Sequence, residues 1–315
     1  MTLPPAGSQK KGLFSREDYL APPAIPTGQP PRDVLNTIWR KNEVFLDIGE
    51  YSIGSAVMMA WPIVLIGFFF VPLPSFNDSL DLQVALGFAI FCLCVFPIFL
   101  LICVLAQSPP PPTRFNRQRR EVCVSQKDGS YWIVPWETIV AQAIAMDSVG
   151  RHGKTTQGML VVGFKNPDPN AKEGERDCSM GFSCGGGTTA MCLWECIRSY
   201  MEIGPEAAPK CHFEGEKTGR SLLGWFLNIM GDAIRTLLRG NVKSTLKDVF
   251  FTFFLGAPLG FYLQERKLIP PPDLTDPAIV EWSKPLPPEQ WAKRSPEWDE
   301  AIRQREAELA GEVAT

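Results

Sequence analysis

At 315 residues, with 31 Lys and Arg against 34 Asp and Glu and a net charge of −3, the chain has no charge excess that would make nucleic acid a partner. Two histidines leave little for His-based acid–base chemistry, and prolines crowded toward both ends limit the packed part to one soluble domain plus membrane elements. The nine cysteines (Cys92, Cys94, Cys103, Cys123, Cys178, Cys184, Cys192, Cys196, Cys211) form no repeated CxxC, and in a reducing compartment they read as small apolar residues. A zinc site of Cys192, Cys196, Cys211 and His212 has poor spacing, so no metal or other cofactor is expected.

Residues 1–32 hold Pro4, Pro5, Pro22, Pro23, Pro26, Pro30 and Pro31 among polar residues, with no apolar run that could serve as a cleaved signal; this predicts a disordered cytoplasmic tail. In 33–52, Asp33 is a candidate N-cap. Val34, Leu35, Ile38, Trp39, Phe45 and Leu46 oppose Arg40, Lys41 and Asn42, as in an interfacial helix or one packed on the soluble domain.

The span 53–106 is a transmembrane hairpin by pattern. Ile53 to Val71 and Val84 to Ala106 are uncharged runs of 19 and 23 residues, each long enough for a core of about 30 Å at about 1.5 Å per residue. Their link carries Asp78 and Asp81 but no cation, whereas Lys10, Lys11, Arg16, Arg32, Arg40, Lys41 precede them and Arg114, Arg117, Arg119, Arg120 follow. The positive-inside rule then puts both termini in the cytoplasm and the four arginines at the membrane surface. Pro62 and Pro97 lie inside the spans.

Residues 113–206 read as a cytoplasmic domain. Glu121–Gln126 and Tyr131–Trp136 flank a Lys127–Ser130 turn; Thr138–Met146, Met159–Phe164 and Asp177–Phe182 are further strands; Thr188–Ile203 is an amphipathic helix stopped by Gly204-Pro205. The expected class is therefore α+β: a transmembrane hairpin, a small antiparallel pleckstrin-homology-like β-roll closed by a helix, then amphipathic helices. Ser148 to Thr155 imitates a phosphate loop, but Ser148 replaces its first glycine and Gly158-Met159-Leu160-Val161-Val162 reads as strand, so a basic hairpin turn is expected. Gly185 to Gly187 reads as the approach to the helix.

In 213–267, Leu222 to Leu238 is a basic amphipathic helix with Arg235 and Arg239 suited to anionic lipid, and Val249 to Leu263 is a 15-residue apolar run, short for a span and flanked by cations. A re-entrant or interfacial segment is expected, with a third span as the alternative. Residues 268–315 read as a Pro-rich acidic tail with a terminal helix.

Arg114-Phe115-Asn116-Arg117, Val134-Pro135-Trp136-Glu137 and the run Leu193 to Pro205, with Trp194, Arg198 and Tyr200, resemble a family of two-span proteobacterial membrane proteins encoded beside type VI secretion effectors. The resemblance covers about Asp33 to Pro205 and implies an immunity-like protein. It carries no catalytic motif. As folding determinants, Trp136 and Trp194 are candidate anchors of a strand–helix core, with Arg198 and Tyr200 beside them. The expected role is binding rather than catalysis: neutralising a cognate effector toxin from the cytoplasmic side, or acting as a membrane-docked adaptor or accessory protein for effector loading, with the toxin or a secretion component as partner. Membrane lipid is the other partner. A basic toxin face would meet Glu173, Glu175, Asp177 and the acidic tail.

Overall fold

The structure is a computed structural model that describes residues 4–33, 35–51, 53–77, 79–126, 128–150, 153–186, 188–211 and 221–314. It is a mixed α and β protein in two compact units, one of Met1–Glu50, Pro111–Glu214 and Asp273–Thr315, the other of Tyr51–Pro110 and Gly215–Pro272.

The first unit is built on two antiparallel five-stranded sheets. One sheet is a meander of β3 (Ile38–Lys41), β4 (Phe45–Ile48), β5 (Thr113–Asn116), β6 (Glu121–Ser125) and β7 (Tyr131–Pro135). The other has the order β1 (Gln9–Lys11), β2 (Ser15–Ala21), β8 (Val140–Gly150), β9 (Gly153–Lys165), β10 (Asp177–Gly185). Leu46, Ile48, Phe115 and Val122 from the first sheet and Ala141, Leu160, Val162 and Phe182 from the second enter one core. Helix α4 (Thr189–Glu202) closes that core with Leu193, Trp194, Cys196, Ile197 and Tyr200. Trp194 stacks on Trp136 at 5.4 Å between ring centroids, and Phe115 meets Trp136 edge-on at 6.1 Å.

Three boundary expectations are corrected. The tail expected over 1–32 contains β1 and β2, and β2 pairs with β8, burying Leu20 and Ala21. Its charged residues concealed the strand: Arg16 and Asp18 lie on the same face and pair with each other. The helix expected over 33–52 is the β3–β4 hairpin. Asn42 makes the turn by accepting the amides of Val44 and Phe45, both at 2.8 Å, and Asp33 accepts the amides of Thr37 and Ile38 at the approach to β3 rather than capping a helix. Val34 lies outside the described residues. The domain expected over 113–206 is thus incomplete without β1–β4.

The chain beyond 272 is likewise part of this unit and not a solvated tail. Leu274, Ile279 and Trp282, the last two on α8 (Pro277–Trp282), cluster with Cys123, while Trp298 and Ile302 of α9 (Pro296–Ala314) enter the main core.

The second unit is helical. α1 (Ile53–Phe70) precedes α2 (Leu80–Ile90), a π-helical turn Phe91–Val95 and α3 (Phe96–Ala106), the last three forming one 27-residue rod. Pro97 cannot donate to the Leu93 carbonyl and its ring displaces that carbonyl, which accounts for the wider π turn. Ile53–Phe70 and Leu80–Ala106 are both long and apolar enough to cross a membrane. The unit also holds α5 (Leu222–Leu238), α6 (Val242–Phe254) and α7 (Ala257–Leu268).

Deleting Asp273–Thr315 removes five buried apolar side chains, Leu274, Ile279, Trp282, Trp298 and Ile302, from their cores. At about 1.5–3 kcal/mol for each large side chain, the loss is comparable to the whole stability of an ordinary domain, so the truncated protein is expected to lose its cooperative melt and become protease-sensitive. An unchanged melt in detergent would remove these residues from the core.

Candidate functional site

The strongest electrostatic feature of the first unit lies where β4 pairs with β5. Register puts Asp47 opposite Arg114, and both are buried. Arg114 Nε and Nη2 donate to the two Asp47 carboxylate oxygens at 2.7 Å each, Nη2 also reaches Asp273 Oδ1 at 2.7 Å, and Nη1 donates to Ser283 Oγ at 2.9 Å. The guanidinium carbon lies 3.7 Å from the centroid of the Phe45 ring, and Arg40 Nη1 is 2.8 Å from Asp273 Oδ1. Burial pushes the Asp47 carboxyl up, opposed by the Arg114 hydrogen bonds and charge. For Arg114, burial pulls the pKa down, but the bonds and charge of Asp47 and Asp273 raise it overall. The short bidentate fork needs both carboxylate oxygens as acceptors, so the pair is ionic.

This geometry revises the expected surface role of Arg114, Arg117, Arg119 and Arg120. Arg114 is spent on Asp47 and Asp273, and Arg120, also buried, bonds both Glu202 oxygens at 3.0 and 3.1 Å. Arg119 Nε donates to the Trp282 carbonyl at 2.9 Å. Arg117 donates to the Ile203 carbonyl at 3.3 Å and faces Trp291 at 5.4 Å. Their partners lie far away in sequence, which a count of flanking cations does not see. Arg235 and Arg239 are exposed on the second unit, Arg235 being 3.1 Å from Asp232.

The four expected anchors all sit in the closing helix and its neighbours. Trp136 Nε1 donates to Glu202 at 2.6 Å, and Tyr200 Oη donates to the Asn42 carbonyl at 2.8 Å. Arg198 pairs with Glu195, whose other oxygen takes the amide and hydroxyl of Thr27 at 3.1 and 3.0 Å. Glu195 and Glu202 were missed as determinants: on α4 they read as ordinary helix polar residues, yet both are buried acceptors.

Two adjoining shallow cavities, of about 220 and 180 Å³, share Arg16, Asp18 and Met191. The larger is floored by Ala143 and Ala145 and edged by Asp147 and Thr156, the smaller by Tyr19, Gln29 and Arg305. Arg16 holds Asp18 through two bonds of 2.8 Å, and Thr156 donates to Asp147 at 2.6 Å. Such a surface offers charge and hydrogen bonds to the side chains of a partner. The buried thiols are poor nucleophiles, because burial pushes Cys123 up to about 12 and Cys184 to about 11 and raises Cys196 as well. Cys211 Sγ contacts the carbonyls of Ile38 and Trp39 at 3.2 and 3.0 Å, and Cys196 Sγ that of Cys192 at 3.3 Å. His152 and His212 lie outside the described residues, and among the described residues no group of three His, Cys, Asp or Glu is placed to hold a metal.

The stretch resembling a phosphate loop runs from the end of β8 into β9, which begins at Gly153, so a strand follows it where a helix N-terminus is needed; Arg151 lies outside the described residues, as does the side chain of Lys154. In comparisons with known proteins, no family model, curated protein or solved structure matches the chain.

Arg114→Ala removes both hydrogen bonds to buried Asp47 and leaves it only the Arg40 guanidinium, 3.6 Å away, and is expected to cost about 3 kcal/mol in chemical unfolding of the detergent-solubilised protein; a cost below about 1 kcal/mol would show the pair to be dispensable. Asp273 also gives a pH signature. Burial pushes its carboxyl up, but the Arg114 bond, the Leu274 amide and both guanidinium charges hold it below the ordinary 3.8. A lowered folded-state value means that its contribution is complete above about pH 4 and is lost as pH falls through that lower value. The contribution is small because the carboxylate is half exposed. The stability difference between wild type and Asp273→Asn should therefore be flat from pH 5 to 8 and shrink below about pH 4.

Proposed function

We propose that this chain is a membrane-held binding protein of immunity type in the bacterial inner membrane, with both termini cytoplasmic, and that it neutralises a type VI secretion toxin by covering its active surface. It acts by binding and not by catalysis. The observation that carries this reading is the division of labour in the chain: two apolar helices able to cross a membrane belong to one unit, while the other presents shallow charged cavities and an exposed acidic loop. That loop, between β9 and β10, holds Glu173 and Glu175 in a short 3₁₀ turn beside Asp177, all exposed. Acidic side chains on a projecting turn suit a basic partner face. A pleckstrin-homology-like roll as the binding scaffold is supported by the strand order, since β3–β7 form one sheet in sequence, β8–β10 follow consecutively in the other, and α4 comes next.

Co-expression with any type VI effector found encoded beside this gene tests the reading. Protection with stable association in detergent is expected, and it should survive Cys192→Ser, Lys154→Ala and His212→Ala, none of which is asked to do chemistry. Combined Glu173→Lys, Glu175→Lys and Asp177→Lys should weaken association by at least tenfold while leaving the melt unchanged, because these side chains support no core. Protection without association would end the occlusion mechanism, and association without protection would indicate an adaptor for a secretion component.

A further inference from the structure

The first unit is assembled from three separated segments, and this constrains how the second unit meets a membrane. Asp273 bonds Arg114, and Trp298 shares a core with Trp136 and Leu20, so residues before 50, between 111 and 211, and after 273 occupy one side of any bilayer. The spans Ile53–Phe70 and Leu80–Ala106 make two crossings and return the chain to that side. The segment 215–272 must then cross an even number of times, so α6 and α7, which are bent by 57° at their break, can together form a third span only if α5 forms a fourth.

Charge decides between two crossings and none. The turn between α5 and α6 is flanked by Arg235, Arg239, Lys243 and Lys247, and α5 carries Asn228 and Asp232 in its 17 residues. Two crossings would place these four cations on the side of the 72–83 link, which has no Lys or Arg. The cation bias of membrane proteins opposes that arrangement.

The contacts of α7 with α1 give a depth. An added Cβ at Gly256 would meet Trp61 at 2.7 Å, one at Gly260 would meet the backbone of Gly54 at 3.4 Å, and one at Gly54 would meet Gln264 at 2.8 Å. α7 therefore runs antiparallel to the first half of α1. Trp61 is eight residues into that helix, or about 12 Å, so the break at Gly256 lies roughly halfway along the span. Trp225 faces Phe261 at 5.1 Å and Phe226 faces Phe253 at 5.2 Å, pinning α5 to both α7 and α6. Leu223, Leu227, Leu238, Leu246 and Phe250 remain exposed on α5 and α6.

We propose that α5, α6 and α7 form a re-entrant element seated in the leaflet on the side of the two-sheet unit, with α7 dipping to mid-bilayer against α1 and the cationic α5–α6 turn on an anionic headgroup surface. The occupant of the exposed leucine and phenylalanine face is lipid, continuous with the lipid around the two spans. This placement is independent of the toxin-binding reading and would stand without it.

The test uses the full chain with the exposed and half-exposed Cys92, Cys94, Cys103 and Cys178 changed to alanine and one new cysteine at a time, Ser75→Cys, Asn241→Cys or Lys293→Cys, probed with a membrane-impermeant maleimide in intact and opened cells. Labelling of the denatured protein in excess of that of the same chain without the added cysteine confirms that each new thiol is reactive. Asn241→Cys and Lys293→Cys should share one pattern and Ser75→Cys show the opposite. If Asn241→Cys matches Ser75→Cys, α5 and α6–α7 cross; if Lys293→Cys matches it, the chain beyond 272 lies on the far side and the parity argument fails. In phosphatidylglycerol vesicles, tryptic cleavage at Arg239, Lys243 and Lys247 should be severalfold slower than in phosphatidylcholine vesicles. Equal rates would remove the anionic surface from the proposal.

Discussion

The ion pair of Asp47 with Arg114 is the contact on which the rest of the molecule depends. It joins β4, which precedes the first apolar helix in the chain, to β5, which follows the second, as neighbouring strands of one sheet. The ladder from Phe45↔Asn116 to Ile48↔Thr113 closes a loop of more than sixty residues, a closure whose entropic cost rises only slowly with loop length. Hydrogen bonds of the ladder hold the strands together, but the buried charges specify the register. A slip of one residue would turn Asp47 and Arg114 to opposite faces and leave each uncompensated in the interior. Asp273 adds the third segment to the same point, so one guanidinium ties the strands on either side of the membrane insertion to the start of the C-terminal segment.

A second polar centre does the same work at α4. Glu202 accepts from Arg120, Trp136 and Arg294, which come from the β5–β6 turn, the start of the 3₁₀ turn after β7, and the approach to α9. Glu195 binds Arg198 beside it and Thr27 in the N-terminal segment. Buried carboxylates that collect several donors have their desolvation cost offset by those bonds and restrict which segments can dock, which fits a unit built from discontinuous pieces. The apolar core would accept many arrangements; these carboxylates accept few.

How much of this was legible in the sequence follows from the range of each signal. The spans, α4, and the β6–β7 hairpin have their evidence within a window of twenty residues: uncharged runs, a helical stripe, an alternating pair around a turn. Trp136 and Trp194 could be picked out as anchors because a large aromatic in such an element has few other roles. By contrast, β2 is recognised only when paired with β8, more than a hundred residues on, and its Arg16, Glu17 and Asp18 alone look like solvated tail. Asp33 and Asn42 are turn-formers that also fit a helix N-cap and a polar helix face, and nothing local separates the two uses. Arg114 and Arg120 were misread for the same reason: cations beside a span imply a membrane surface until Asp47 and Glu202 are brought to them. Proline density around α8 hid Trp282, and the largely charged sequence of α9 hid Trp298, since a short or mostly polar helix can still bury a single large side chain.

The membrane unit relies on a different balance. Lipid is as apolar as leucine, so helices there gain little from burying apolar area and instead need close backbone approach. Gly67 supplies it where an added Cβ would fall 2.7 Å from both Leu93 and Cys94, at the π turn made by Pro97. Gly54 and Gly260 supply it again between α1 and α7, with Gly256 left-handed at φ +68° where α6 ends and α7 begins. A side chain at either interface would push the helices apart by more than dispersion across the gap can recover. The residues at these close helix approaches are distinct from those that line the charged cavities of the two-sheet unit, so the packing of the apolar helices draws on none of the cavity side chains.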